Sequence, residues 1–131
     1  MTYLEIYHSA LRMIGVTESG EMTADYEERA PYLLASFVSQ CAPLDRKYRS
    51  AHSLDAVVYP RVAAVTMNEE FHLSDVFLSA AGTYLASMLI LEENETVSEK
   101  LFDQYCDSLA SIECALPASS TSIKNCYPGL L

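Results

Sequence analysis

Two Glu-x-x-His pairs, Glu5 with His8 and Glu69 with His72, have the clearest claim to chemistry in this sequence. In a four-helix di-iron site, two such pairs on two helices combine with single glutamates from two others. The pattern here stops short of that. Glu69 and His72 fall at the lead-in to a helical stretch rather than on one. No lone glutamate interrupts an apolar stripe to complete the set, and the run 76–91 offers no ligand at all. Helix capping and chance account for both pairs better. None of the three histidines (His8, His52, His72) neighbours a Cys or Ser in a nucleophile motif. The four cysteines, Cys41, Cys106, Cys114 and Cys126, show no metal-ligand spacing and read as reduced, with Cys41 and Cys106 as small core residues. Four isolated glycines form no phosphate loop. The expectation is a protein that is not an enzyme and takes no metal or cofactor.

The formal net charge of −10, from 18 acids against 8 bases, argues against a protein that grips nucleic acid by its phosphates. The basic cluster Arg46-Lys47-Tyr48-Arg49 reads as a solvated helical turn. At 131 residues, half of them hydrophobic, the chain has material for one well-cored domain. The first residues lack a positive stretch, and Glu5 interrupts their apolar character, so an intracellular protein is expected.

The stretch that must organise such a domain is a pair of helices, 75–91 and 97–115, joined by the acidic turn 92–96. The first carries Val76, Phe77, Ala80, Ala81, Tyr84, Leu85, Met88 and Leu89 at helical spacing, with the small Ser79, Gly82, Thr83, Ala86 and Ser87 opposite. A helix that is apolar or small all round is central and buried. It is too short for a membrane span, which needs about 20 apolar residues. Thr96 and Glu99 form a capping-box pattern for the second helix. Its apolar line is Val97, Leu101, Tyr105, Leu109, Ile112 and Leu116, with Phe102 beside it and Ser98 facing away. So short a turn makes the two helices antiparallel neighbours.

Upstream, Thr2 and Glu5 are a second capping box, starting a helix near Tyr3 whose inward stripe is Leu4, Tyr7, His8, Leu11 and Ile14. Gly15 can end it in a left-handed conformation. Thr23 caps a helix from Ala24 that must kink at Pro31 or hand over to a new helix there. Tyr32, Leu33, Leu34, Phe37, Val38 and Cys41 form its core stripe, a break is expected at Ala42-Pro43, and Asp45 pairs with Arg49 at i,i+4. Residues 54–67 favour strands by composition, but Pro60 limits them, so an irregular arm or a small β-hairpin is expected to project there. The organisation is an all-α domain, 1–116, of four to five helices with a central antiparallel hairpin. A Ser- and Pro-rich tail, 117–131, follows, either as a flexible terminus or as an arm for a neighbouring subunit.

The stretches ALRMIGVTESGE, YEERAPYLLASF and FHLSDVFLSAAGTYLASMLILEENETVSEKLFDQYCDSLASIE resemble small head–tail connector (adaptor) proteins of tailed bacteriophages. The matching features are the turn Ile14-Gly15-Val16, the lead-in Leu73-Ser74-Asp75 before an Ala-rich helix, Ala80-Ala81 with Tyr84-Leu85-Ala86, and the amphipathic helix around Tyr105. The resemblance covers residues 1–116 and contains no catalytic motif. It implies a helical bundle with an arm, assembled as a homo-oligomeric ring beneath the portal. Such a ring extends the DNA channel and docks tail-completion proteins, in the host bacterial cytoplasm during assembly and then in the virion. DNA would pass an acidic lumen without sequence-specific binding, and no membrane is involved. Candidate subunit-interface residues are Gly82, Thr83 and Ala86 on the small side of the central helix, Tyr59 and Arg61 on the arm, and Ile123 and Tyr127 in the tail. The rival reading is an intracellular helical binding or regulatory module that forms a dimer through the same hairpin.

Overall fold

The computed structural model describes residues 1–17 and 23–117. It contains four helices: α1 (Tyr3–Met13), α2 (Thr23–Ala51), α3 (Leu78–Ile90) and α4 (Glu95–Cys114), with one 3-10 turn, Asp75–Phe77, leading into α3. The fold is all-α. Helix α3 is the centre: every residue from Ala80 to Ser87 is buried, as are Leu89 and Ile90. It packs antiparallel to α4, with α1 and α2 closing the other sides. The Ser87 hydroxyl donates to the Ser98 carbonyl at 3.0 Å, and the Ser98 hydroxyl donates to the Ser87 carbonyl at 2.9 Å. Two small residues thus satisfy their own buried hydroxyls and let the hairpin close tightly. Ser98, expected to face away, therefore faces inward.

The start of α1 leaves its first N–H groups without intrahelical partners. The chain supplies partners from two directions. The capping box forms as expected, with Glu5 N donating to Thr2 Oγ1 at 3.2 Å and Thr2 N donating to Glu5 Oε2 at 2.7 Å. The segment before α3 then returns past the same end. Tyr3 N donates to the Glu69 carbonyl (3.1 Å) and Leu4 N to that of Met67 (2.9 Å). This docking turns α1 so that Tyr3, Ile6, Tyr7, Ala10 and Leu11 are buried. Leu4, His8 and Ile14 from the expected stripe lie only half-buried. Gly15 follows at φ +72°, the left-handed stop foreseen for it.

Helix α2 runs unbroken through Pro31 and Pro43, with neither the handover nor the break expected at those positions. A proline removes the bond to the carbonyl four residues earlier. Those carbonyls belong to Glu27 and Ser39, both on the exposed side, where solvent can meet them. The inner face continues through Tyr26, Ala30, Leu34, Phe37, Val38, Cys41 and Asp45. Tyr32, expected in the core stripe, is 58% exposed. Phe37 joins the helices through aromatic contacts, 5.6 Å from Tyr84 and 6.0 Å from Tyr105 between ring centroids.

Other expectations are corrected at element ends. Asn94, not Thr96, caps α4: its side chain accepts from Val97 N at 3.2 Å. Val76 is exposed because the turn before α3 is 3-10, which changes the angular spacing of its side chains. Cys106 is exposed while Cys41 is buried. Among the described residues there is no strand, so the β-hairpin considered for 54–67 does not form and the segment is irregular. Thr2 and Glu70 make an isolated β contact. Among the described residues, no helix is long and apolar enough to cross a membrane.

Candidate interaction site

One buried carboxylate ties three parts of the chain together. Asp45 is 0% exposed, on the inner face of α2. Its Oδ2 accepts from Arg49 Nε one turn on (2.8 Å) and from the Tyr59 hydroxyl. Its Oδ1 accepts from Ser74 N at 2.9 Å, where the chain turns into α3. Arg49 extends the cluster, donating to the carbonyls of Asp55 (3.2 Å) and His72 (3.4 Å). The Arg46 guanidinium lies 5.0 Å over the Tyr59 ring. Burial alone would raise the Asp45 pKa, but the hydrogen bonds from Ser74, Tyr59 and Arg49 outweigh it and hold the carboxyl below its ordinary value. Burial and the neighbouring Asp45 carboxylate push the Tyr59 phenol up to about 12. A carboxylate so saturated with donors is an organiser of backbone, not a proton carrier near neutral pH.

What it organises is the arm, the irregular run from His52 to Thr66. The root is held by Leu54 N donating to the Arg49 carbonyl at 2.9 Å, and the far end by Val65 N donating to the Pro31 carbonyl at 3.1 Å. Between these anchors Tyr59 is pinned to Asp45 while its neighbours are not covered. Val58 is 92% exposed, and Leu54, Val57 and Val62 are exposed as well. Arg61 is the one basic residue among them. An extended apolar segment held in place at its middle is a feature that asks for a partner.

The other candidate residues fall elsewhere. Gly82, Thr83 and Ala86 are buried inside the chain and offer no surface to a neighbour. The open side of Gly82 faces Met13 of α1, whose methyl group lies 3.0 Å from where a Cβ would be. The small stripe thus serves packing within the chain, which the sequence could not distinguish from packing against a second chain. Tyr59 is half-buried and Arg61 exposed, and these two share the arm. Ile123 and Tyr127 lie outside the described residues. Of the Glu-x-x-His pairs, Glu5 is used in capping, and His72 accepts or donates through Nδ1 to the Tyr3 hydroxyl. Among the described residues no group of three or more His, Cys, Asp or Glu could hold a metal ion. Burial pushes the Cys41 thiol up to about 11, which leaves it unreactive near neutral pH.

The Asp45 cluster was only half legible. The i,i+4 pair with Arg49 was visible, but the partners Tyr59 and Ser74 were not. The available signal was spacing: Leu34, Val38, Cys41 and Asp45 share one helical stripe, so a carboxylate stood on a buried face. The chain matches no family model, no curated protein and no solved structure.

Proposed function

We propose that the protein is a structural subunit of a tailed-bacteriophage head–tail connector. As such it forms a ring under the portal, extends the DNA channel and docks tail components. The observation that carries this reading is the pinned arm: exposed valines on a segment fastened at its middle by Tyr59 to Asp45. A subunit that works by assembly needs a preformed contact segment, because ordering it in advance lowers the cost of association. Supporting features are the Gly15 turn at φ +72° and the Leu73-Ser74-Asp75 lead-in, where Ser74 N is fastened to Asp45. The net charge of −10 suits a channel through which a polyanion slides without adhering.

The test is to sequence the DNA on either side of the reading frame. Capsid and portal frames upstream with tail frames downstream are expected. Metabolic or regulatory frames without virion genes would overturn the reading.

A further inference from the structure

The exposed valines of the arm have a counterpart at the closed end of the hairpin. Between α3 and α4 lies an apolar groove of about 260 Å³ floored by Met88, Leu91 and Phe102. Leu91 is 48% and Phe102 39% exposed, which is high for large apolar side chains flanking the central hairpin. Its rim is acidic, formed by Glu99 and Asp103. The arm is the reverse: Val57, Val58 and Val62 exposed, with Arg61 among them and Arg46 beneath. Charge is therefore distributed asymmetrically. Four of the eight basic residues (Arg46, Lys47, Arg49 and Arg61) lie within 46–61, whereas the exposed residues of α4 include five acids, Glu95, Glu99, Asp103, Asp107 and Glu113, against one base, Lys100.

One copy cannot bring its own Val58 to its own groove. The arm's root, at Tyr48 and His52, lies beside Ile112 and Leu116 at the open end of the hairpin. Glu99 is 13 residues up α4 from Ile112, or about 20 Å at 1.5 Å per residue. The Tyr59–Asp45 bond keeps Tyr59, with its neighbours Val57 and Val58, at the open end, because Asp45 is itself fastened to the start of α3 through Ser74 N; only the far end of the arm, at Val65, runs on to Pro31.

The geometry points to head-to-tail self-association: the arm of one copy seats Val58, with Val57 and Val62, in the groove of Met88, Leu91 and Phe102 of a second copy, and Arg61 meets Glu99 and Asp103. The surfaces differ, so the contact is heterologous and propagates until it closes as a ring or runs on as a filament. This deepens the ring reading and rests on it for closure, while the contact itself stands on the residues named here.

The test uses the full chain and two variants. Val58→Asp disables the arm and leaves the groove. Leu91→Asp disables the groove and leaves the arm. Both positions are exposed, and circular dichroism confirms folding. Sedimentation velocity of the unaltered chain up to about 1 mM, enough to reveal even a millimolar Kd, is expected to show species larger than a dimer. Each variant alone is expected to associate at least about tenfold more weakly, the effect of losing one buried side chain of this size. The two variants mixed have one intact arm and one intact groove between them, and are expected to stop at a 1:1 heterodimer. A chain that stays monomeric, a symmetric dimer that ends growth, or a mixture that does not pair overturns the proposal. Self-association with this signature and no recruitment by a portal would retain the contact and remove the connector reading.

Discussion

Replacing Asp45 with alanine tests whether one carboxylate holds the arm to the bundle. The substitution strips the acceptor from three donors at once: Arg49 Nε at 2.8 Å, Ser74 N at 2.9 Å and the Tyr59 hydroxyl. Removing one member of a buried ion pair costs about 3–5 kcal/mol, mostly because the other charge is stranded. The Arg49 side chain keeps 17% of its exposure and can turn partly to water, which places the loss near the lower end, about 3 kcal/mol. For a chain of this size that corresponds to a fall in Tm of roughly 10–15 °C. Tyr59→Phe removes one hydroxyl donor to a charged acceptor and should cost about 1.5–3 kcal/mol. Because Tyr59 acts through Asp45, the double variant should lose less than the sum, by about 1–2 kcal/mol. Urea denaturation measures these losses. Limited trypsin digestion reads the arm directly, since cleavage after the exposed Arg61 should accelerate in both single variants. A loss below about 1 kcal/mol for Asp45→Ala, with cleavage after Arg61 unchanged, would refute the reasoning.

The depressed pKa of Asp45 fixes a sign with pH. Its stabilising contribution is fully present above the unfolded carboxyl value of about 3.9 and is lost as pH falls below it toward the folded value. The urea midpoint should therefore drop on acidification below about pH 4 in the unaltered chain, and more shallowly in Asp45→Asn. At the other extreme, burial is the first cause raising the phenols of Tyr3, Tyr26, Tyr59 and Tyr105 to about 12. They favour the folded state below pH 10 and cease to do so as pH rises toward 12, so tyrosinate absorbance should show a late step coincident with alkaline unfolding. Gly82→Ala should be neutral or stabilising by up to about 1 kcal/mol, because helix propensity improves and only the mobile end of Met13 must move, whereas Gly15→Ala should cost about 1 kcal/mol at its positive φ. Urea midpoints of the two glycine variants check both signs. Thiol labelling followed by peptide mass mapping should find Cys106 and Cys114 modified quickly and Cys41 protected until unfolding.

Helical periodicity and the short acidic turn were enough to reveal the central hairpin and the burial of α3, because an uncharged run with no polar face has nowhere else to go. Helix ends were less legible. Thr96 and Asn94 both suit a cap, and only the path of the chain out of α3 selects Asn94. Prolines 31 and 43 looked like breaks because the sequence does not reveal that the carbonyls they orphan face solvent. The stripe of Gly82, Thr83 and Ala86 looked like an interface because small residues invite any close neighbour, and tertiary placement decided that the neighbours lie within the chain. The pinning of Tyr59 joins residues 14 positions apart through a side-chain hydroxyl, a contact that leaves no periodic trace.

The proposed connector role is tested most directly by electron microscopy of the purified protein mixed with the portal that its flanking frames are expected to encode. A ring of copies seated on the portal, lost in the Val58→Asp variant, is the predicted result. Bare portals at saturating protein, with the chain folded and free in solution, would contradict it.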